Sequence, residues 1–244
     1  MTTMRTSSPR QTQTDWTRNH ARAAGAFHLL TFLASIPALL LIAPVLDHPD
    51  YIVGAGSDTR VLWGCLLDMV SALACIGTAV AVLPVVKRTN EALALGFLTS
   101  RLVEAGIILT GVVSLLSVVT LRQDLSGATG TTGEDAATLR TVGEALVAVR
   151  DWTFLLGPGF MAGINALLLG TLLYRSRLVP RLIPAMGLIG APLLLASGIA
   201  TFFGHNDQLS AWSLLATLPI AAWELSAGTY MLVKGFKSSA VEAG

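Results

Sequence analysis

Charge is scarce in this chain: Asp, Glu, Lys and Arg make up 13% of its 244 residues, about half the share a soluble domain carries. The formal net charge is +1, so no global field favours nucleic acid, and no nucleic-acid partner is expected. Cysteine is scarcer still. Cys65 and Cys75 fall ten apart in one apolar run, which suits neither a zinc pair nor a disulfide framework, and both read as small core residues. The four histidines, His20, His28, His48 and His205, are dispersed, and only His28 lies within an apolar run, so a three-histidine zinc site is not expected. No G-x-S-x-G, H-E-x-x-H or P-loop string occurs. The sequence therefore assigns no catalytic residue, metal or cofactor.

What the chain has instead is length of apolar sequence. Hydrophobic residues are 53% of the total and mean hydropathy is +0.66. They cluster into runs of about 20, the length that crosses a hydrocarbon layer. Six runs are read as spans: 24–46, 61–86, 92–121, 152–174, 182–203 and 211–233. The first is too long for a signal-peptide core and no small-x-small cleavage site closes it, so it is expected to be a retained helix. Residues 1–23 read as a disordered polar tail and 238–244 as a short second tail. Gly127, Gly130 and Gly133 make 124–135 a flexible loop. Leu139, Val142, Leu146 and Val149 recur at helical spacing, so 137–150 is either an interfacial helix or an extension of the fourth span.

Orientation follows from the basic residues. Arg5, Arg10, Arg18, Arg22, Lys87, Arg88, Arg175, Arg177, Arg181, Lys234 and Lys237 gather on one side, against Arg60, Arg122, Arg140 and Arg150 on the other. The richer side is expected to be cytoplasmic, with both termini inside. Trp63, Trp152, Trp212 and Tyr51 fall near the outer boundary, where interfacial aromatics belong. Prolines sit in or at the ends of every span but the third, and their base rate in membrane helices favours packing kinks over hinges. Gly157-Pro158-Gly159 either breaks the fourth span or kinks it.

Asp68, Arg101, Glu104 and Glu224 lie well within their spans. A charge near the bilayer centre costs at least about 2.5 kcal/mol, so each needs a partner or water. Helical geometry places Asp68 with Gly64, Ala72, Cys75 and Ala79, and Glu104 with Gly96, Ser100, Gly111 and Ser114. Glu224 falls on one stripe with Thr217, Ala221 and Gly228. Small residues let membrane helices approach closely, so each acid faces the bundle interior. Arg101 either pairs with Glu104 along its own helix or reaches across to Asp68 or Glu224. Asn165 needs hydrogen-bond partners at any depth and joins the candidates, and Arg150 with Asp151 is expected at an outer mouth. Buried pairs of this kind also serve simply to fix helix register. The basic cluster Arg175, Arg177 and Arg181 is accounted for by topology.

The strings ALALGFLTSRLVEAGIILTGVVSLLSVVTLR (92–122), GPGFMAGINALLLGTLLYRSRLVPRLIPAMGLIGAPLL (157–194) and WELSAGTYMLVKGF (223–236), with LASIPALLLIAPVL (33–46), resemble a bacterial membrane family catalogued as domain of unknown function 4386. Arg101, Glu104, Asn165, Arg175, Arg181, Glu224 and Lys234 match that family's polar landmarks. The resemblance implies a multi-pass protein of a bacterial cytoplasmic membrane and supplies no reaction or ligand. The expected fold is an all-α bundle of six membrane helices in one domain, 24–237. Three functions are in contention. The first is binding or transport of a small molecule or ion at Asp68, Arg101, Glu104, Asn165 and Glu224. The others are a structural or regulatory subunit with a membrane-protein partner, and an intramembrane enzyme acting on lipid. The lipid bilayer is a partner in all three.

Overall fold

A computed structural model describes residues 9–54, 57–126 and 134–237, and within them every regular element is helical. The helices are α1 (Pro9–Asp47), α2 (Asp58–Val86), α3 (Glu91–Ser126), α4 (Glu134–Phe154), α5 (Ala162–Ser176), α6 (Leu182–Phe202) and α7 (Ala211–Val233). A 3-10 turn covers Pro49–Ile52, and a π-helical turn, Leu155–Met161, joins α4 to α5 as one rod. Five helical segments are long and apolar enough to cross a membrane: Asp15–Asp47, Asp58–Val86, Glu91–Asp124, Asp135–Ser176 and Leu182–Phe202. The 23 residues of α7 would reach about 35 Å at 1.5 Å per residue, but Pro219, Glu224 and its hydroxyl residues make it less apolar. Their outward surface carries exposed Leu33, Leu73, Leu182, Ile189 and Leu218, a cover suited to lipid rather than water.

Local chemistry sets the ends. Asn90 accepts a hydrogen bond from the Leu93 amide at 2.9 Å and so caps α3, and Ser210 accepts one from the Ser213 amide to cap α7. Gly235 closes α7 with φ +74°, its amide donating to the Met231 carbonyl, a left-handed cap that glycine adopts without a Cβ penalty. Neighbouring helices pack in chain order, and α7 returns to pack on α1, so the rods form a closed ring. The return contact is very close. A Cβ on Gly25 would stand 2.5 Å from the Leu232 nitrogen and 2.6 Å from the Gly228 carbonyl oxygen, so α1 and α7 touch backbone to backbone there.

Two apolar clusters fill the two ends of the ring. One, at the end holding both chain termini, gathers Val82, Phe97, Leu169, Trp223 and Met231. The other, at the opposite end, gathers Ile42, Ile52, Val61, Leu115 and Val118. Buried polar residues lie between them in sequence on each of the first three helices: His28 and Thr31 on α1, Asp68 and Ser71 on α2, and Ser100, Arg101 and Glu104 on α3.

Several expectations change. Helix α1 begins at Pro9, so 9–23 belong to it rather than to a disordered tail. Thr17 and Ala21 are buried, a His20 ring nitrogen bonds the Ala81 carbonyl oxygen at 3.0 Å, and Arg88 lies over Trp16. Residues 1–8 and 238–244 lie outside the described residues. The loop expected at 124–135 is shorter, because α3 continues to Ser126 and α4 starts at Glu134; Gly127, Gly130 and Gly133 lie outside the described residues. Segment 137–150 is an extension of the fourth rod. Tyr51 is buried, with Arg122 over its ring at 4.6 Å and its hydroxyl donating to Asp58 at 3.1 Å. Burial, with the Asp58 charge, pushes its phenol above the usual range.

The α1–α7 contact gives a direct expectation. Gly25→Leu should lower stability in detergent micelles by at least about 1–3 kcal/mol, the usual cost of overpacking, because backbone atoms cannot step aside. An unchanged thermal unfolding midpoint would refute the crossing.

Candidate functional site

Apart from Arg122, which pairs with Asp58 at 2.6 Å beside Tyr51, the buried charges form two centres. In the first, Arg101 donates through Nη1 to Glu104 Oε2 at 2.7 Å, one helical turn along α3. Asn165 of α5 donates from Nδ2 to the same oxygen at 2.8 Å, and Arg101 Nη2 meets His28 Nδ1 of α1 at 3.4 Å. Arginine has no acceptor, so His28 accepts there and carries its proton on Nε2. The third guanidinium contact is Cys75 Sγ of α2 at 3.5 Å from Nη1. Three helices are thus tied to one guanidinium, and a fourth reaches its carboxylate. Trp223 closes the centre with its indole edge-on to His28 at 5.8 Å. It fits because Gly187 has no side chain: a Cβ there would lie 2.6 Å from the indole. His28 Nε2, Arg101 Nε, Asn165 Oδ1 and Trp223 Nε1 are buried without a hydrogen-bond partner among the described residues.

In the second centre Arg150 donates to Asp68 at 3.2 Å, both side chains nearly fully buried. The guanidinium must pass α3 to reach α2, and Gly111 lets it through. A Cβ at Gly111 would stand 2.5 Å from Thr153 Oγ1 and 3.0 Å from Arg150 Cδ. The Phe154 ring backs the same guanidinium at 5.1 Å.

Between α1, α4, the π turn and α7 lies a cavity of about 460 Å³. Asp68, Arg150 and Glu224 stand on its wall with the hydroxyl residues Ser35, Ser71, Thr153, Ser213 and Thr217. Its apolar lining includes Phe32, Ile36 and Leu39 from α1, Ile108 from α3, and Leu214 and Ile220 from α7. Its volume is in the range of sites that hold small molecules, roughly 300–1,000 Å³. Glu224 is the third acid, and no hydrogen bond or ion pair to another described residue engages its carboxylate. It lies within electrostatic reach of Arg101 and Glu104, so it stands between the cavity and the first centre.

Of the pairings open to Arg101 the structure takes the one along its own helix, with Glu104. Asp68 takes Arg150 instead of Arg101. Arg150 is not at an outer mouth but buried and turned inward. Asp151 is exposed, faces a separate pocket of about 160 Å³ beside His48 and Glu144, and contributes only its carbonyl, which accepts from Gln208 at 3.0 Å. Adjacent residues of a helix point about 100° apart, so the two could not share one inward direction. On α7, Thr217 is open to the cavity side while Gly228 is packed, so their shared stripe changes environment along its length. Sequence reasoning passed over His28 and Cys75. The signal for His28 was present: Ala21, Ala24, Thr31 and Ala38 put it on a small-residue stripe of the same kind as those that located the acids.

Breaking one side of the first centre leaves an unpaired charge in an apolar interior. Arg101→Met alone should cost about 3–5 kcal/mol. Arg101→Met combined with Glu104→Gln should recover most of that loss. A double-mutant cycle by unfolding in micelles measures it, and additive effects would mean that the pair is not coupled.

Comparison with known proteins gives a match to one family model. No curated protein and no solved structure matches the chain. The family model described as "Domain of unknown function (DUF4386)" matches residues 23–235, which takes in every helix that builds the two charge centres and the cavity, and the chain belongs to that family.

Proposed function

We propose that this chain is a six-pass protein of a bacterial cytoplasmic membrane, with both termini inside, that binds and moves a small molecule or ion at a polar intramembrane site. The site is the cavity wall formed by Asp68, Arg150 and Glu224, and Arg101, Glu104 and Asn165 form the fixed charge centre behind it. The observation that carries the reading is the cavity of about 460 Å³ placed where unpaired Glu224 reaches it. An acid in an apolar helix is costly, and a purely packing role would be expected to bury it against a donor. The count of charges agrees: Arg101 and Arg150 face Asp68, Glu104 and Glu224, which is two cations against three carboxylates. The excess of Lys and Arg on the side of the termini supports the orientation, with α7 as the sixth span.

A second reading has its own support. The Arg101–Glu104–Asn165 centre is closed and ties several helices, as a register lock in a structural or regulatory subunit would be. Four of its polar atoms have no hydrogen-bond partner among the described residues, which argues against a lock alone, since a lock is stable in proportion to how fully it is satisfied.

The two readings separate on Glu224→Gln, which keeps the volume and removes the charge. If the site binds and transports, the variant should fold with nearly unchanged stability yet lose ligand-dependent thermal stabilisation and flux in proteoliposomes by at least roughly tenfold, the effect of one charge-assisted hydrogen bond. Unchanged flux across candidate ligands, with a stoichiometric protein partner recovered by crosslinking, would favour the subunit.

A further inference from the structure

From the shape of the cavity and its charge we infer that its occupant is an amphiphile with a cationic amine head and an apolar body, entering sideways from the bilayer between α1 and α7; this rests on the cavity being a binding site. The two helices touch at Gly25 and Gly228, and farther along a cavity lies between them. Beyond the contact, Phe32, Ser35 and Ile36 on one side face Leu214, Thr217 and Ala221 on the other across open space. Ile36, Leu209 and Leu214 are at once part of the lining and largely exposed. The gap therefore opens through the side of the ring onto the surface that carries exposed Leu33 and Leu218. A water-soluble solute would have to cross that apolar rim; an amphiphile already in the bilayer would not.

Charge decides the head group. Arg150 is already matched to Asp68 at 3.2 Å, so the cavity offers an anion no free cation. Glu224 is the carboxylate without a donor, and it sits about 20 Å of helix below the Ala211 end of α7, at 1.5 Å per residue. An ammonium group there forms a charge-assisted pair in a low-dielectric setting, and the apolar body lies along Ile36 and Leu214. If the amine arrives unprotonated at a protonated Glu224, one proton passes from the carboxyl oxygen to the nitrogen and the same ammonium carboxylate results.

The test uses the full chain in lipid nanodiscs with Ser35→Cys or Thr217→Cys, labelled by a small maleimide; the unmodified chain, whose Cys65 and Cys75 are buried, gives the background. Octylammonium at ten times its Kd should slow labelling roughly tenfold, while octanoate and octanol should not. Glu224→Gln should raise the octylammonium concentration needed for that protection roughly 10- to 100-fold. Protection by octanoate but not octylammonium overturns the cationic head, and equal protection by methylammonium overturns the amphiphile; both leave the cavity as a binding site. Cysteines that no reagent reaches, or whose labelling no compound of any charge alters, overturn the binding site itself.

Discussion

Two arginines in the apolar interior set the terms for the rest of the structure. A guanidinium stays charged at any depth, so each needs a carboxylate, and each finds one by a different route. Arg101 takes Glu104 from its own helix at 2.7 Å, a pairing available as soon as α3 forms. Arg150 takes Asp68 from α2, a pairing that exists only when α2, α3 and α4 have assembled in register and Gly111 has let the side chain pass. The first pair is local and the second is topological. Between them they consume two of three acids, and the remaining one, Glu224, is left to face the cavity.

The site is shaped by where the helices are allowed to meet. At the end holding the termini, α1 and α7 approach backbone to backbone at Gly25 and Gly228, and Trp223 is seated against Gly187. Those contacts use glycine on one side of each, so they fix the lower edge of the cavity firmly. At the other end α1 contributes to the apolar cluster around Ile42, Ile52 and Leu115, to which α7 contributes no residue. The two helices thus share one cluster and not the other, and the cavity lies between them.

Much of this could be read from the sequence, and the failures have definite causes. The extension of the fourth rod over 137–150 was one of two readings that helical spacing allowed, and run length placed the helices to within a few residues except in 9–23 of α1, where polar sequence continued an apolar helix. There the expectation stopped where hydrophobicity stopped, but a helix supported by tertiary contacts such as His20 to Ala81 need not stop with it. The small-residue stripes located Asp68 and Glu104 in the interior, because close approach and burial of charge demand the same faces. They could not say which arginine each acid would take. That depends on ring order and on the depth of each residue along its helix, neither of which periodicity encodes. The cavity was invisible for a related reason: it lies between helices, and spacing describes each helix alone.

The compliance of α7 follows from the same geometry. Its first turn is held by hydrogen bonds among Asn206, Ser210, Ser213 and Ser197, and its far end by the Gly228 crossing and Gly235. Between these, the cavity of about 460 Å³ and a neighbouring one of about 180 Å³ both reach Phe154, Pro158, Leu194 and Thr217, so the helix is underpacked on its inner side over several turns. Pro219 lies in that stretch and removes a helix hydrogen bond. The facing element is the π turn around Pro158, which departs from α geometry too. On the proposed binding reading, a helix pinned at both ends and loose in the middle accommodates an occupant at the lowest cost by bowing. Because α2, α3 and α4 are tied by ion pairs, room beside Glu224 would then come from α7, the turn opposite it and the facing wall of α1.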